Sequence, residues 1–416
     1  MVEDNTRYEY ILNNFKKGKA FVKINQVNDN GIRCIKNFCI DRKGKIIYSL
    51  SPELQVQGLE YEDEDVAIVS YNDKSALIDN RGVFLTDLIY DHIYSGAENG
   101  LFEVRRSGLH GHIDIRGKEV IPCMYQTGHY FSEGVVAEKL NDKWGMIDYY
   151  NNTVIPFEYE EVGACFNNLI TVKKNGKWGL IDKSNTLIVD YLYDNIYNFV
   201  TRDCVVLSAR KGDKFGLIDR SGNIVEDFIY ETDPFLVDCD GIEGEVLALR
   251  KDGKYALYSA TEAKFLTDFI YNYVEYALEG MFKVSIDDKE GYVDRYGNVK
   301  IPAIYDLGFY FSEGVVGVMK GEYYGLVDSN NHNVIPFEYK TPIEVSNGMV
   351  LVLNDNYDFS YIDRSNNLVI PYGKYMHCKE FRNGYAVVYS KEKGHNIYIN
   401  TACEEIDPIN LGVLKV

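Results

Sequence analysis

Apolar residues along this chain fall in short runs of four to six, built from pairs such as VV, LI and VI with Tyr or Phe beside them. Each run is closed by Asn, Asp, Gly or Lys. Runs of that length between turn residues predict β-strands, and no segment keeps a helical period long enough to predict a helix. One run recurs: an aromatic residue, a small one, two apolar ones, then Asp. Strong copies are KWGMID (Trp144, Gly145, Asp148), KWGLID (Trp178, Gly179, Asp182), KFGLID (Phe215, Gly216, Asp219) and YYGLVD (Tyr324, Gly325, Asp328). Variants end at Asp79, Asp114, Asp294 and Asp363, and weaker copies at Asp41, Ser259 and Asn400. The intervals between these anchors are 34 to 40 residues. A repeat of about 36 residues used eleven times therefore replaces the two or three domains that length alone suggests.

Two further signatures keep phase with the anchor. After a turn comes EVIPCMY to Tyr125, TVIPFEY to Tyr159, VKIPAIY to Tyr305, NVIPFEY to Tyr339 or LVIPYGKY to Tyr375. Where Pro is missing, Asp stands near its place, in the segments ending at Tyr90, Tyr193, Tyr230 and Tyr271. FSEGVV occurs at 131–136 and 311–316, with relatives at 279–284 and 381–388. One repeat thus reads as an antiparallel meander of three short strands. In KWGLID, Trp178 and Leu180 share one strand face and Gly179 and Ile181 the other, so both faces are apolar and the meanders must stack on one another. The anchor Asp is expected to cap a turn with its carboxylate. The fold class expected is all-β, with tandem antiparallel β-meander or hairpin repeats forming an open solenoid-like or propeller-like array. Thirty-six residues are short for a four-stranded blade, which favours an open or double arrangement. The array spans 20–403, with an N-terminal cap segment at 1–19 and a C-terminal cap segment at 404–416.

KWGLID, then VIPxxY, then F-x-E-G followed by two apolar residues, resembles the WG-repeat (KWG repeat) family of bacterial proteins over roughly 20 to 400. Only Trp144-Gly145 and Trp178-Gly179 keep the literal pair; Phe215, Tyr255, Tyr324 and Phe359 replace Trp, and Ala76, Ala256 and Ser360 replace Gly. The resemblance implies a β-rich repeat array, often attached to other modules, and supplies no catalytic residue.

Charge narrows the partners. With 44 basic and 63 acidic side chains the formal net charge is −19, spread along the chain without a basic patch. Such a field repels nucleic acid and anionic membranes and steers a basic partner favourably. No apolar run approaches membrane-spanning length, no basic segment leads into an apolar stretch at the start, and the eight cysteines show no CxxC pair. A cytoplasmic location is the expectation. The 35 Tyr and 20 Phe against 2 Trp add an aromatic excess that the phased Tyr positions partly absorb. Those rings are read as packing between repeats, with an exposed stripe for a peptide or sugar as the other reading.

Chemistry is thin. His110 and His112 could share a strand face with His129 nearby, a geometry a metal can use, yet His110 merely occupies the aromatic position of the repeat and the reading is structural. The recurring Asp lies in no calcium loop, nucleotide-binding glycine motifs are absent, and no nucleophile set is singled out. No catalytic residue, metal or cofactor is expected. The irregular segment DCDGIEGE, with Asp238, Asp240, Glu243 and Glu245, is the candidate interaction loop. The function expected is a non-catalytic repeat scaffold binding an unidentified protein or peptide. The alternative is a carbohydrate-binding protein or hydrolase with a cleft across several repeats, which would need a deep pocket holding two close carboxylates.

Overall fold

The computed structural model describes residues 10–11, 19–27, 33–41, 45–51, 53–59, 66–94, 99–197, 205–236 and 246–406. Asp238, Asp240, Glu243 and Glu245 lie outside the described residues, as do most of 1–19 and of 404–416. The described residues form eleven antiparallel sheets and no helix, so none contains a helix long and apolar enough to cross a membrane. In chain order sheets 1 to 11 span 10–50, 55–79, 92–125, 135–159, 161–193, 195–230, 235–265, 273–305, 307–339, 345–370 and 375–406. Strands pair in sequence order within each sheet, and no sheet closes into a barrel. Nine sheets have four strands. The two three-stranded ones, sheets 2 and 4, gain isolated bridges at Ile78–Phe84, Ser75–Tyr90 and Ser132–Val135. The expected three strands per repeat therefore undercount. The missed one is the first strand, such as Glu161–Phe166, whose register slips between Val162 and Cys165 and so breaks the alternation that marks a strand in sequence.

The central hairpin of each repeat follows from its turn residues. Asn141 and Asp142 (φ 51° and 64°) join Val135–Leu140 to Lys143–Asp148, and Asn175-Gly176 (53° and 76°) do the same in sheet 5. Two consecutive residues at positive φ make the turn whose twist suits a two-residue hairpin, hence the Asn, Asp and Gly found there. The anchor Asp ends the third strand. Asp148 Oδ1 accepts the amides of Tyr150 (2.9 Å) and Asn152 (2.8 Å), and Asp182 repeats this with Ser184 and Thr186 at 2.8 and 2.9 Å. The fourth strand then bulges over the glycine. A Cβ on Gly145 would lie 2.6 Å from the Ile155 carbonyl oxygen, and one on Gly179 2.5 Å from that of Val189. The small residue after the aromatic is thus fixed by backbone approach.

Residues 1–194 and 195–415 form two compact units. Within each, apolar layers join consecutive sheets. In the first unit, Ile147 packs toward sheet 3 with Ile121 and Tyr125, while Met146, on the other face of the same strand, packs toward sheet 5 with Cys165 and Val172. In the second unit, Phe282 and Val293 of sheet 8 meet Ala248 and Leu257 of sheet 7, and Ile301 of sheet 8 meets Val316 and Val327 of sheet 9. No meander buries both faces alone, so stacking supplies the core.

Polar latches fix the stacking register. Four of the phased tyrosines are buried and donate their hydroxyls to an Asn in the next sheet: Tyr125 to Asn151 (2.6 Å), Tyr159 to Asn185 (2.7 Å), Tyr305 to Asn331 (2.7 Å) and Tyr339 to Asn366 (2.8 Å), whereas Tyr230 donates to Glu226 of its own sheet at 2.8 Å. At the FSEG turn, Glu133 accepts the amides of Asn167 and Asn168 at 2.7 and 3.0 Å, Glu279 that of Gly314 at 2.9 Å, and Glu313 that of Gly348 at 3.0 Å.

Candidate functional site

The repeat positions Trp144, Gly145, Asp148, Trp178, Gly179, Asp182, Phe215, Gly216, Asp219, Tyr324, Gly325 and Asp328 all lie in third strands, with the aromatics half-buried, the glycines buried and the Asp at the strand end. Their contacts are those of turns and packing. Two other places carry chemistry.

The first is a titratable cluster in the layer between sheets 3 and 4. Glu138 is 0% exposed and pairs across the hairpin with Gly145, at the register position where Val104, Val172, Val284 and Val318 stand in other sheets. It shares a strand face with Val136, which packs on sheet 3. Neither carboxyl oxygen has a hydrogen-bond partner. Burial, with the charge of Glu103 adding to it, pushes its pKa up to about 9, so it is a neutral acid near pH 7. Glu103 is raised as well by burial, against the pull of His110, whose Nδ1 lies 2.7 Å from Glu103 Oε1. His112, paired with Glu103 across the strands, is buried with Nδ1 unpartnered, and burial followed by the charge of His110 lowers it to about 4. His129 is lowered for the same reasons and lies against the Trp144 ring, 5.3 Å between centroids.

His110 and His112 therefore do share a face, as their spacing predicts, but in a core. Among the described residues no three His, Cys, Asp or Glu side chains are arranged to hold a metal ion. Glu138 and Glu103 are the interacting carboxyls a hydrolytic reading requires, yet Glu138 is sealed from solvent and meets no substrate in this arrangement.

The same layer recurs in the second unit with altered chemistry. Lys283 stands 180 residues after Glu103 at the same strand position, and Glu290 takes the aromatic place that His110 holds. Here the polar groups are paired. Lys283 Nζ lies 3.1 Å from Glu275 and donates to the Gly308 carbonyl at 3.3 Å, the Gly308 amide donates to Glu290 at 2.6 Å, and Tyr310 donates to Glu275 at 2.6 Å.

The second place is the outer surface. Fourth strands are sheet edges, and the residue before the phased Tyr faces solvent: Met124 and Leu192 on fourth strands and Ile89 in the turn after sheet 2 in the first unit, Ile229 and Ile304 on fourth strands and Ile270 just beyond sheet 7 in the second. Two residues earlier, on the same face, stands an exposed Asp (Asp87, Asp190, Asp227, Asp268) or Pro (Pro122, Pro302). In sheets 4 and 9 the aliphatic gives way to Glu158 and Glu338, and Glu338 borders a groove of about 470 Å³ beside the Asn354–Tyr357 turn of sheet 10. Tyr357 is 78% exposed and Tyr372 37%. Asp355 in the same groove binds Lys340 at 2.8 Å.

Sequence reading missed Glu138, although aligning VVAEKL with LITVKK and VVGVMK places an acid where the others have Val. It missed the outward row because exposure of that position depends on the fourth strand being an edge.

The repeat family described as WG containing repeat matches residues 111–144, 144–178, 178–214, 291–324, 324–357 and 359–393. None of the curated proteins compared matches the chain. Similar solved structures include a eukaryotic initiation factor (11% identity, TM-score 0.38, covering 79% of this chain and 98% of that one). Others are Hsv2p of Kluyveromyces lactis (8%, 0.29, 61% and 92%) and BamB of Moraxella catarrhalis (12%, 0.26, 72% and 94%). All these scores are below 0.5, and no argument rests on them.

Proposed function

The chain belongs to the WG-repeat family, and on that premise we propose that it is a non-catalytic repeat scaffold whose sheets, stacked in each unit as an open, solenoid-like array, bind another protein or peptide. The observation that carries this reading is the outward row just before the phased tyrosines. Exposed aliphatic residues scattered singly need no explanation, but one just before the phased Tyr in three consecutive repeats (Ile229, Ile270, Ile304) is a repeated surface. Proline at an edge removes an amide donor; Asp227 and Asp268 keep theirs and add negative charge. Such an edge suits an extended segment that supplies backbone hydrogen bonds, aliphatic side chains and positive charge. A cytoplasmic setting belongs to the same proposal.

The test is site-specific photo-crosslinking in cells, with the reactive side chain placed at Ile229 or Ile270 and, as control, at the exposed turn residue Tyr150. The reading expects one protein captured reproducibly at both row positions and not at Tyr150. Capture at none of the three, or equally at all, contradicts it.

A further inference from the structure

We propose that the groove between sheets 9 and 10 is a binding site for an arginine side chain of an extended peptide segment, an inference that rests on the scaffold reading and gives it a location and a ligand chemistry. Four observations converge. The first is size: about 470 Å³ falls within the range of ligand pockets and exceeds what a lone guanidinium needs, leaving room for its aliphatic stem and flanking backbone. The second is charge, because Glu338 and Asp355 enter the lining from opposite sheets. The third is the pair of exposed rings, Tyr357 and Tyr372, whose faces attract a cation.

The fourth is Lys340. Its ammonium already occupies Asp355 at 2.8 Å, with side chains 61% and 77% exposed. An ion pair so exposed is weak, so the chain's own lysine marks a cation position that an incoming cation can take over. Arginine is favoured over lysine as the newcomer. Its planar fork can bind a carboxylate through two hydrogen bonds while its face lies on a tyrosine ring, whereas an ammonium can only replace Lys340 like for like. Glu338 is held in place at the rim, where its Oε1 accepts from Asn366 Nδ2 at 3.0 Å, and the same Asn366 receives the Tyr339 hydroxyl at 2.8 Å. The groove therefore sits on one of the latches that set the stacking register.

The experiment is a fluorescence-anisotropy titration of the full chain with dye-labelled eight-residue peptides that differ only at a central Arg, Lys, Gln or Glu, together with the neutral sugar maltohexaose as competitor. The Arg peptide should bind at least about five-fold more tightly than the Gln peptide, the factor expected for about 1 kcal/mol of charge and ring contact. Glu338→Gln with Asp355→Asn should abolish that preference. Lys340→Met should tighten binding, since it removes the resident competitor; this variant separates recognition from damage to folding, which would weaken it. Equal binding of Arg and Gln peptides, or loss of affinity in Lys340→Met, overturns the site. So does an Arg peptide whose affinity the Glu338/Asp355 double substitution leaves unchanged, an outcome under which scaffold binding elsewhere on the chain still stands. Displacement of the peptide by maltohexaose overturns it in favour of a sugar site.

Discussion

The hydroxyl of Tyr159 in sheet 4 donates to the side-chain oxygen of Asn185 in sheet 5 at 2.7 Å, and Asn185 holds a left-handed turn position at φ 61°. Two requirements of the repeat are met by one contact. The ring fills the layer between sheets, and its hydroxyl finds a partner on the residue that the turn already needs as Asn. Other repeats place Gly at the turn position, as at Gly222 (φ 86°) and Gly297 (φ 82°).

Removing one side of this latch should cost about 1 kcal/mol, as for a single buried hydrogen bond. Tyr159→Phe and Asn185→Gly each keep the backbone geometry. A double-mutant cycle should give a coupling of about 0.5–1 kcal/mol, read from hydrogen-exchange protection of 153–193. Additive effects would mean that the bond does not stabilise the stack.

Glycine substitutions should separate close approach from turn conformation. Gly145→Ala drives a Cβ into the Ile155 carbonyl at 2.6 Å, while Gly176→Ala, at φ 76°, meets nothing within 4 Å. The first should destabilise by about 3 kcal/mol or more through strain, the second by about 1 kcal/mol through its positive φ alone. Urea denaturation of both variants checks the order.

Glu138 gives the layer between sheets 3 and 4 a pH dependence. Its pKa rises from 4.5 to about 9 on folding, so the stability tied to its proton is complete below about 4.5 and drains away as pH climbs toward 9. His112 runs the other way, falling from 6.5 to about 4, so its contribution is complete above 6.5 and is lost as pH falls toward 4. Glu103, His110, Tyr125 and His129 also face this layer, and burial raises Tyr125 as well, with Glu138 adding to it. Above neutrality Glu138 dominates. Glu138→Val should stabilise by about 1–3 kcal/mol and flatten the decline from about pH 7 to 9 in the urea midpoint, because it removes a buried unpaired carboxyl. An unchanged slope would place the dependence elsewhere.

The anchor carboxylates act at the acid end. Slight burial pulls Asp148 upward, but the Asn152 side chain and the amides of 152 and 150 outweigh it and hold the group below 3.8; Asp219 behaves alike with Asn223 and Ser221. Their contribution is present above 3.8 and lost as pH falls through the lowered folded values. Asp148→Ala should cost about 1.5–3 kcal/mol near neutral pH, the range for charge-assisted bonds, and less in acid. A penalty that persists unchanged below pH 3 would show that the carboxylate's charge is not what holds the turn.

Much of this was legible because it is written in single residues at fixed phase. Asp148, Gly145 and Tyr159 each answer a local demand, a turn amide, a bulged carbonyl or an inter-sheet gap, and the demand returns every 34 to 40 residues. The first strands are hidden in the sequence because their pairing slips, as between Gly308 and Phe311, and no alternation survives. Glu138 looks like an ordinary surface acid until its register opposite Gly145 is known. The groove residues Glu338, Asp355 and Tyr372 come from three separate segments that only stacking brings together. The candidate loop at Asp238–Glu245 stands out in the sequence by its irregular length, and it lies outside the described residues.

Hydrogen exchange of the full chain with and without the protein captured at Ile229 tests the central claim most directly. The account predicts new protection on the outward fourth strands at 224–230 and 299–305 and around 338–341 and 353–357, with 101–114 and 135–148 unchanged. Protection centred on Glu103, His110 and Glu138, with none on the outer row, would contradict the scaffold reading and move the functional centre into the buried layer.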